Sequence, residues 1–383
     1  MKKTTDMIEK YLDKRLITRK PTRNLYKYTI LDYFKNNNKD MNNYFSSKKT
    51  LGTYEKDIRN VYMQQEKEHK PHYSRKTYFN IIKLFLSHHD KRIKTMEIWD
   101  NIKGQLRGCE PESDEKIVNK NDIKTIISHG GTLQRAIFLM LASSGRRIGE
   151  ILALYPEDVD TTSTPATLNI KKTYDNTAPN KISQTTKTKQ KTLCFISDEA
   201  KEAYLEWLKE RDTYLRNASV RSYSHKKDLT DRRVFPMTYA NTMVLWRNML
   251  VKAGYLKRNE DTKEILNGKD ENTNRLLFHP HCLRKHFRGY FGDADLSEYL
   301  MGHSTMMTKT YRKMTIEDLS KKYIEHIGNV TFFTSPPDLT DIKEDLKEKD
   351  DEIARMRADI EKMHNEILTL QNLETLAKLL RKT

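Results

Sequence analysis

The stretch HPHCLRKHF, residues 279 to 287, packs His279, His281, Cys282, Arg284, Lys285 and His286 together. Histidine and cysteine this close could hold a metal. However, Arg284 and Lys285 would repel a divalent cation, and no Cys-x-x-Cys or His-Glu-x-x-His pattern occurs in the chain. If the segment is helical from His281 onward, His281 and Arg284 are three apart and share one face. An imidazole and a guanidinium aimed at one ligand suit a phosphate. A second arginine motif, SSGRRIGEILAL, supports this: Arg147 and Glu150 are three apart at a helix start, just after a break at Gly145. Most isolated Arg-x-x-Glu pairs are surface ion pairs. This one sits between the apolar runs AIFLMLA and ILALY, which places the arginine near a core with Glu150 orienting it. A guanidinium so held calls for a bidentate partner.

Most of the elements that must position these residues read as helix, because glycine and proline are scarce while lysine, glutamate and leucine are abundant. The first hundred residues hold short amphipathic stretches, such as TYEKDIRNVYMQQ and RKTYFNIIKLFLSHH. In the second, Tyr78, Ile81, Ile82 and Phe85 recur at helical spacing. The polar segment 108 to 122, interrupted by a proline, reads as a linker. Beyond it, breaks at Gly130-Gly131 and Ser144-Gly145 separate three helices. Two β-like pieces, 166 to 172 and 191 to 197, are joined by a long polar excursion. Residues 198 to 211 return to helix with Ala200, Ala203, Tyr204, Trp207 and Leu208 on one face, and another helix runs through Trp246 and Leu250. In the tail, Leu346, Ile353, Ile360 and Ile367 fall seven apart, with Met356, Met363 and Leu370 between them. Such a helix can dock on its own body or associate with a second copy as a coiled coil.

The formal net charge of +17 is spread along 383 residues, which points to a polyanion such as nucleic acid. Cys109, Cys194 and Cys282 are odd in number and far apart, so no disulfide framework is expected, and a reducing compartment fits. No apolar run is long enough to span a bilayer or serve as a signal peptide. The expectation is a cytoplasmic protein, in the host cytoplasm or nucleoid, with no membrane partner.

In chain order the signals are Arg147 in SGRRIGE, Lys187 in TTKTKQKT, His281 and Arg284 in HPHCLR, His303 in LMGHS, and Tyr311 in TKTYRKM. This series resembles the catalytic domain of tyrosine recombinases, the phage-type integrase family, in the flavour of its archaeal and archaeal-virus members. The resemblance covers about 120 to 325. It implies a mainly α fold with a small β-sheet (α+β): a helical core-binding domain at 1–110, a linker at 111–120, the catalytic domain at 121–335, and a C-terminal helix at 338–383. It also implies that Arg147 and Arg284 clamp the phosphate, that Lys187 is the hairpin lysine, and that His281 opens the His-x-x-Arg box. His303 would be the second histidine, Tyr311 the nucleophile, and Glu150 the support of the first arginine. Tyr311 follows His303 by eight residues where many bacterial members have nine, and Cys282 stands where an aspartate is common, read here as a small packing residue.

These residue types suit metal-free attack on a phosphodiester. A tyrosine hydroxyl, with a reference pKa of about 10, must lose its proton as it attacks. Two fixed guanidiniums and His303 can complement the charge of the pentacoordinate transition state. Lys187 is the candidate acid for the leaving 5′ oxygen, with His281 aiding proton transfer at the tyrosine. Lys181, Lys189 and Lys191 compete with Lys187, and Tyr290, Tyr299 and Tyr323 compete with Tyr311. His279 and His286 read as packing or backbone-contact residues. The reaction implied is site-specific cleavage and rejoining of double-stranded DNA through a 3′-phosphotyrosine, with no cofactor. It would be carried out by a homo-oligomer, a tetramer on paired sites. The rival readings are a type IB topoisomerase and a non-catalytic DNA-binding protein of the same fold.

Overall fold

The computed structural model describes residues 2–45, 50–107, 118–176, 178, 181–186, 191–221, 227–259, 261–262, 264–270, 275–303, 311 and 313–333. These fall into two compact units. One takes in the described parts of 1–117, 174–183 and 250–282, and the other those of 118–173, 184–249 and 283 onward. The 338–383 helix and most of the 111–120 linker lie outside the described residues, as do Lys187, Lys189 and Cys109.

The first unit is built on helices α1 (Lys2–Lys14), α2 (Lys20–Asn36), α3 (Met41–Tyr44), α4 (Leu51–Lys67), α5 (His72–His89) and α6 (Ile98–Gln105). The amphipathic stretches form α4 and α5, and Tyr78, Ile81, Ile82 and Phe85 face inward as their spacing predicts. The core is rich in aromatic rings packed edge to face: Tyr11 meets Phe85 and Phe34 meets Tyr44, each pair with centroids 5.0 Å apart. The Tyr44 hydroxyl, inside this core, donates to Asp57 at 2.8 Å, whereas the Tyr11 and Tyr33 hydroxyls are buried there without a hydrogen-bond partner.

The second unit carries the sites of interest. Helices α7 (Lys120–Ser128), α8 (Thr132–Ser144) and α9 (Ile148–Ile151) break at the expected glycines. Asn119 caps α7 by accepting from the Asp122 amide. The α8 stretch Ala136–Ser144 is buried on every side because α7, α10 (Asp198–Arg221) and a sheet strand all pack on it, so its hydrophobicity runs unbroken rather than in one stripe. The three-stranded antiparallel sheet has the order β1 (Val159–Asp160), β2 (Ala166–Ile170), β5 (Thr192–Ile196), with Leu168 opposite both Val159 and Cys194. The two β-like pieces of the sequence are β2 and β5. The polar excursion between them holds a short pair that periodicity does not reveal, β3 (Thr173–Tyr174) and β4 (Ile182–Ser183), since two-residue strands leave no alternation to read. The remaining helices are α11 (Tyr239–Lys252), α12 (His281–Tyr290), α13 (Ala294–Leu300) and α14 (Ile316–His326). The architecture is mainly α with a small antiparallel sheet, as expected.

Candidate active site

Gly145 ends α8 in the left-handed region, φ +62°, a conformation that costs glycine nothing and other residues strain. A Cβ there would also collide with the ring of Phe287. The turn delivers Arg146 and Arg147 into opposite settings. Arg147 caps α9 with its side chain 27% exposed. Its Nη1 donates to Glu150 Oε1 at 3.1 Å and its backbone N–H to Glu150 Oε2 at 3.2 Å. The Glu150 carboxylate reaches back to the helix start in the manner of a capping box, and so orients the guanidinium. Arg146 is 2% exposed. Its Nη1 lies 3.8 Å from the same carboxylate, its Nη2 contacts the Leu193 carbonyl on β5 at 3.5 Å, and its Nε has no hydrogen-bond partner.

On α12, Arg284 is 4% exposed. Its Nη1 donates to the Gly145 carbonyl at 2.5 Å, and both terminal nitrogens reach the Met301 carbonyl at 3.3 Å. Nη2 is also 2.6 Å from His303 Nε2. Burial, followed by the charge of Arg147, pushes its pKa down from the usual arginine value to about 10. Arg284 remains charged at neutral pH. His303 reaches Arg284 through a Schellman turn at the end of α13: Gly302 (φ +77°) donates to the Tyr299 carbonyl at 2.9 Å and His303 N–H to the Glu298 carbonyl at 3.0 Å. The turn folds the imidazole back over Glu298, whose Oε2 is 2.5 Å from His303 Nδ1. A Cβ on Gly302 would stand 2.5 Å from Arg146 Nη1, so this glycine serves both the turn and the buried arginine.

Tyr311 stands differently. Its hydroxyl donates to Asp293 Oδ2 at 3.0 Å. Asp293 caps the N-terminus of α13, its Oδ1 accepting from the Asp295 and Leu296 amides. His303 follows the other end of that helix, which is about 10 Å long. Burial and the Asp293 carboxylate push the phenol up to about 12, and its ring lies 6.0 Å from that of Tyr299. Of the rival tyrosines, Tyr323 is fully buried with its hydroxyl on the Ser143 carbonyl at 2.8 Å, and Tyr290 stacks on His286. His286 is 1% exposed and its Nδ1 pairs with the Val118 carbonyl at 2.8 Å, a backbone-contact role.

The second unit thus brings Arg147, Glu150, Arg284 and His303 together, and places Tyr311 on Asp293. His281 opens α12, exposed and one turn before Arg284, with its amide on His279 Nδ1 at 3.2 Å. Cys282 is buried. Sequence reasoning missed Arg146, Asp293 and Glu298. For Glu298 a signal existed: a carboxylate five residues before a histidine that follows a helix-ending glycine is brought under it by the Schellman turn.

Among solved structures, the chain is similar to the Tn1549 transposon integrase in complex with circular intermediate DNA. That match has 13% identity, a TM-score of 0.51, and coverage of 84% of this chain and 98% of that one. The same integrase in complex with transposon right end DNA gives the same identity, coverage and TM-score. A lambda integrase dimer bound to a COC′ core site is 16% identical over 82% of this chain and 80% of that one, with a TM-score of 0.46. No family model matches the chain. No curated protein matches it either. No helix among the described residues is long and apolar enough to cross a membrane. The structural neighbours are tyrosine recombinases and integrases, and at these identities what the chain shares with them is the fold of the tyrosine-recombinase catalytic domain.

Proposed function

We propose that this chain is a site-specific DNA recombinase of integrase type, cleaving and rejoining duplex DNA without metal or ATP. The observation that carries the reading is the arginine pair. Arg147 is oriented by Glu150 and Arg284 is fixed by two backbone carbonyls, with the buried Arg146 beside them on the same Glu150 carboxylate. Two guanidiniums held this way offer donors to the non-bridging oxygens of a phosphodiester and cost no reorganisation when charge develops there. The Tyr311 oxygen attacks phosphorus, the bond to the 5′ oxygen breaks, and that oxygen takes a proton from Lys187. His281 assists removal of the tyrosine proton. The resulting 3′-phosphotyrosine keeps the bond energy, so a 5′ hydroxyl of a second strand reverses the step. Exchange between duplexes then requires several protomers on paired sites. The domain plan of 1–110 and 121–335, with a tail helix at 338–383 joining protomers, belongs to the same proposal.

The test is incubation with a nicked suicide DNA substrate bearing candidate sites. A covalent complex whose DNA-linked peptide contains Tyr311 supports the reading. Binding with no adduct under any condition leaves a non-catalytic DNA-binding protein. An adduct that only reseals its own strand leaves a type IB topoisomerase.

A further inference from the structure

Glu298 takes no part in the chemistry above, yet it holds the ring of His303. A guanidinium can only donate, so His303 Nε2, 2.6 Å from Arg284 Nη2, must accept. The ring proton is then on Nδ1, 2.5 Å from Glu298 Oε2, and is donated to the carboxylate. Glu298 is itself secured by Arg288, whose Nε donates to Oε1. Burial raises the Glu298 carboxyl, but the bonds from His303 and Arg288 more than offset this and hold it below its ordinary value, so it is ionised at neutral pH. The result is a chain of carboxylate, imidazole and guanidinium, with the Schellman turn at Gly302 setting its geometry.

We propose that Glu298 is a positioning residue for strand cleavage, acting through His303; this rests on the recombinase reading. With Nδ1–H committed to Glu298, only Nε2 faces Arg284 and an incoming phosphate. When a phosphate oxygen takes the Arg284 donor, Nε2 is released from that bond. It gains a proton from solvent and donates to a non-bridging oxygen, returning the proton when the DNA leaves. The adjacent negative carboxylate offsets an imidazolium that would otherwise stand among arginines. Glutamine at 298 keeps the size but can accept or donate, so it permits the wrong tautomer, in which Nε2–H would oppose an Arg284 N–H. Leucine removes the bond.

The experiment uses the full chain labelled with ¹⁵N-histidine, with His303 assigned by its loss in His303→Asn. Free wild type should show a protonated Nδ1 and a bare Nε2. Addition of a duplex site to the Tyr311→Phe chain should protonate both nitrogens. Glu298→Leu leaves Arg284 alone to set the tautomer, so this variant and Glu298→Gln should weaken the preference and admit some of the other form. Both should cleave the suicide substrate about 10- to 100-fold more slowly, with DNA affinity unchanged and thermal melting of the Gln variant as in wild type. An Nε2–H tautomer in free wild type overturns the proposal. So does a Glu298→Leu chain with an unaltered His303 pattern and cleavage rate. If the tautomer is as stated and depends on Glu298, but wild type never forms an adduct, the recombinase reading fails. The role in cleavage fails with it, and the bond is scaffolding only.

Discussion

Arg284 and Tyr311 lie in one unit, both in the shade of α13, and their surroundings prepare them for opposite states. Arg284 is held by the Gly145 and Met301 carbonyls and by His303, so its position is settled before any ligand arrives. Tyr311 makes its bond to the carboxylate that caps α13, and burial together with that carboxylate raises the phenol to about 12. The arginine half of the proposed site is held in place in advance, whereas the phenol proposed as nucleophile is tied to a carboxylate. If the chain is the recombinase proposed above, this division has a use: the phosphate contacts stand ready while the hydroxyl meant to attack is kept back.

The strongest break of this comparison is Tyr311→Phe. It should bind DNA as wild type does and form no covalent adduct, read by gel and by mass spectrometry of the DNA-linked peptide. A wild-type adduct on Tyr299 would reassign the nucleophile and undo the contrast. Lys187→Ala should cleave ordinary DNA about 10²- to 10⁴-fold more slowly, as expected for loss of a general acid. A 5′-bridging phosphorothiolate, whose thiolate leaves without a proton, should restore most of the rate to this variant but not to Arg147→Ala. An unrestored Lys187→Ala would make that lysine a phosphate contact and pass the role to Lys189 or Lys191. Arg284→Lys keeps the charge but not the planar fork, so single-turnover cleavage should fall by about 10²- to 10³-fold. Urea unfolding of this variant should show a loss of about 1–3 kcal/mol from the carbonyl left unpartnered. A cleavage rate within error of wild type would mean that point charge alone suffices.

The smallest and most informative effect belongs to Asp293→Asn. Asparagine caps a helix as well as aspartate does, so α13 should persist while the charge facing the hydroxyl is removed. Cleavage at neutral pH should rise a few-fold. The phenolate absorbance assigned to Tyr311 by difference against Tyr311→Phe should appear at lower pH than in wild type, where burial and then Asp293 raise the phenol to about 12. The sign follows from the neutral phenol being the favoured form in the folded chain. The contact's contribution to stability is present below about pH 10 and is lost as pH climbs towards 12. A slower Asp293→Asn would show that the bond guides the tyrosine instead of restraining it.

The two halves also differ in how far the sequence exposed them. Arg147 with Glu150, and Arg284 one turn after His281, were readable because each pair is local: three residues apart on an element whose start a glycine or proline marks. The helices of the first unit were readable from the period of Tyr78, Ile81, Ile82 and Phe85. The Tyr311–Asp293 bond spans 18 residues, and nothing in the intervening sequence announces that a helix cap would double as an acceptor. Arg146 was hidden for another reason. In sequence it is one more basic residue in a basic chain, and only the close packing of Gly302 and β5 reveals it as buried. The β3–β4 pair was too short to carry a pattern.

Glu199 bears on a different matter. At the start of α10 its two carboxylate oxygens accept from the backbone amides of Phe332 and Phe333, each at 2.8 Å. The segment after α14 is thus held to the start of α10, and losing the Glu199 carboxylate would strip two backbone amides of their acceptor at once.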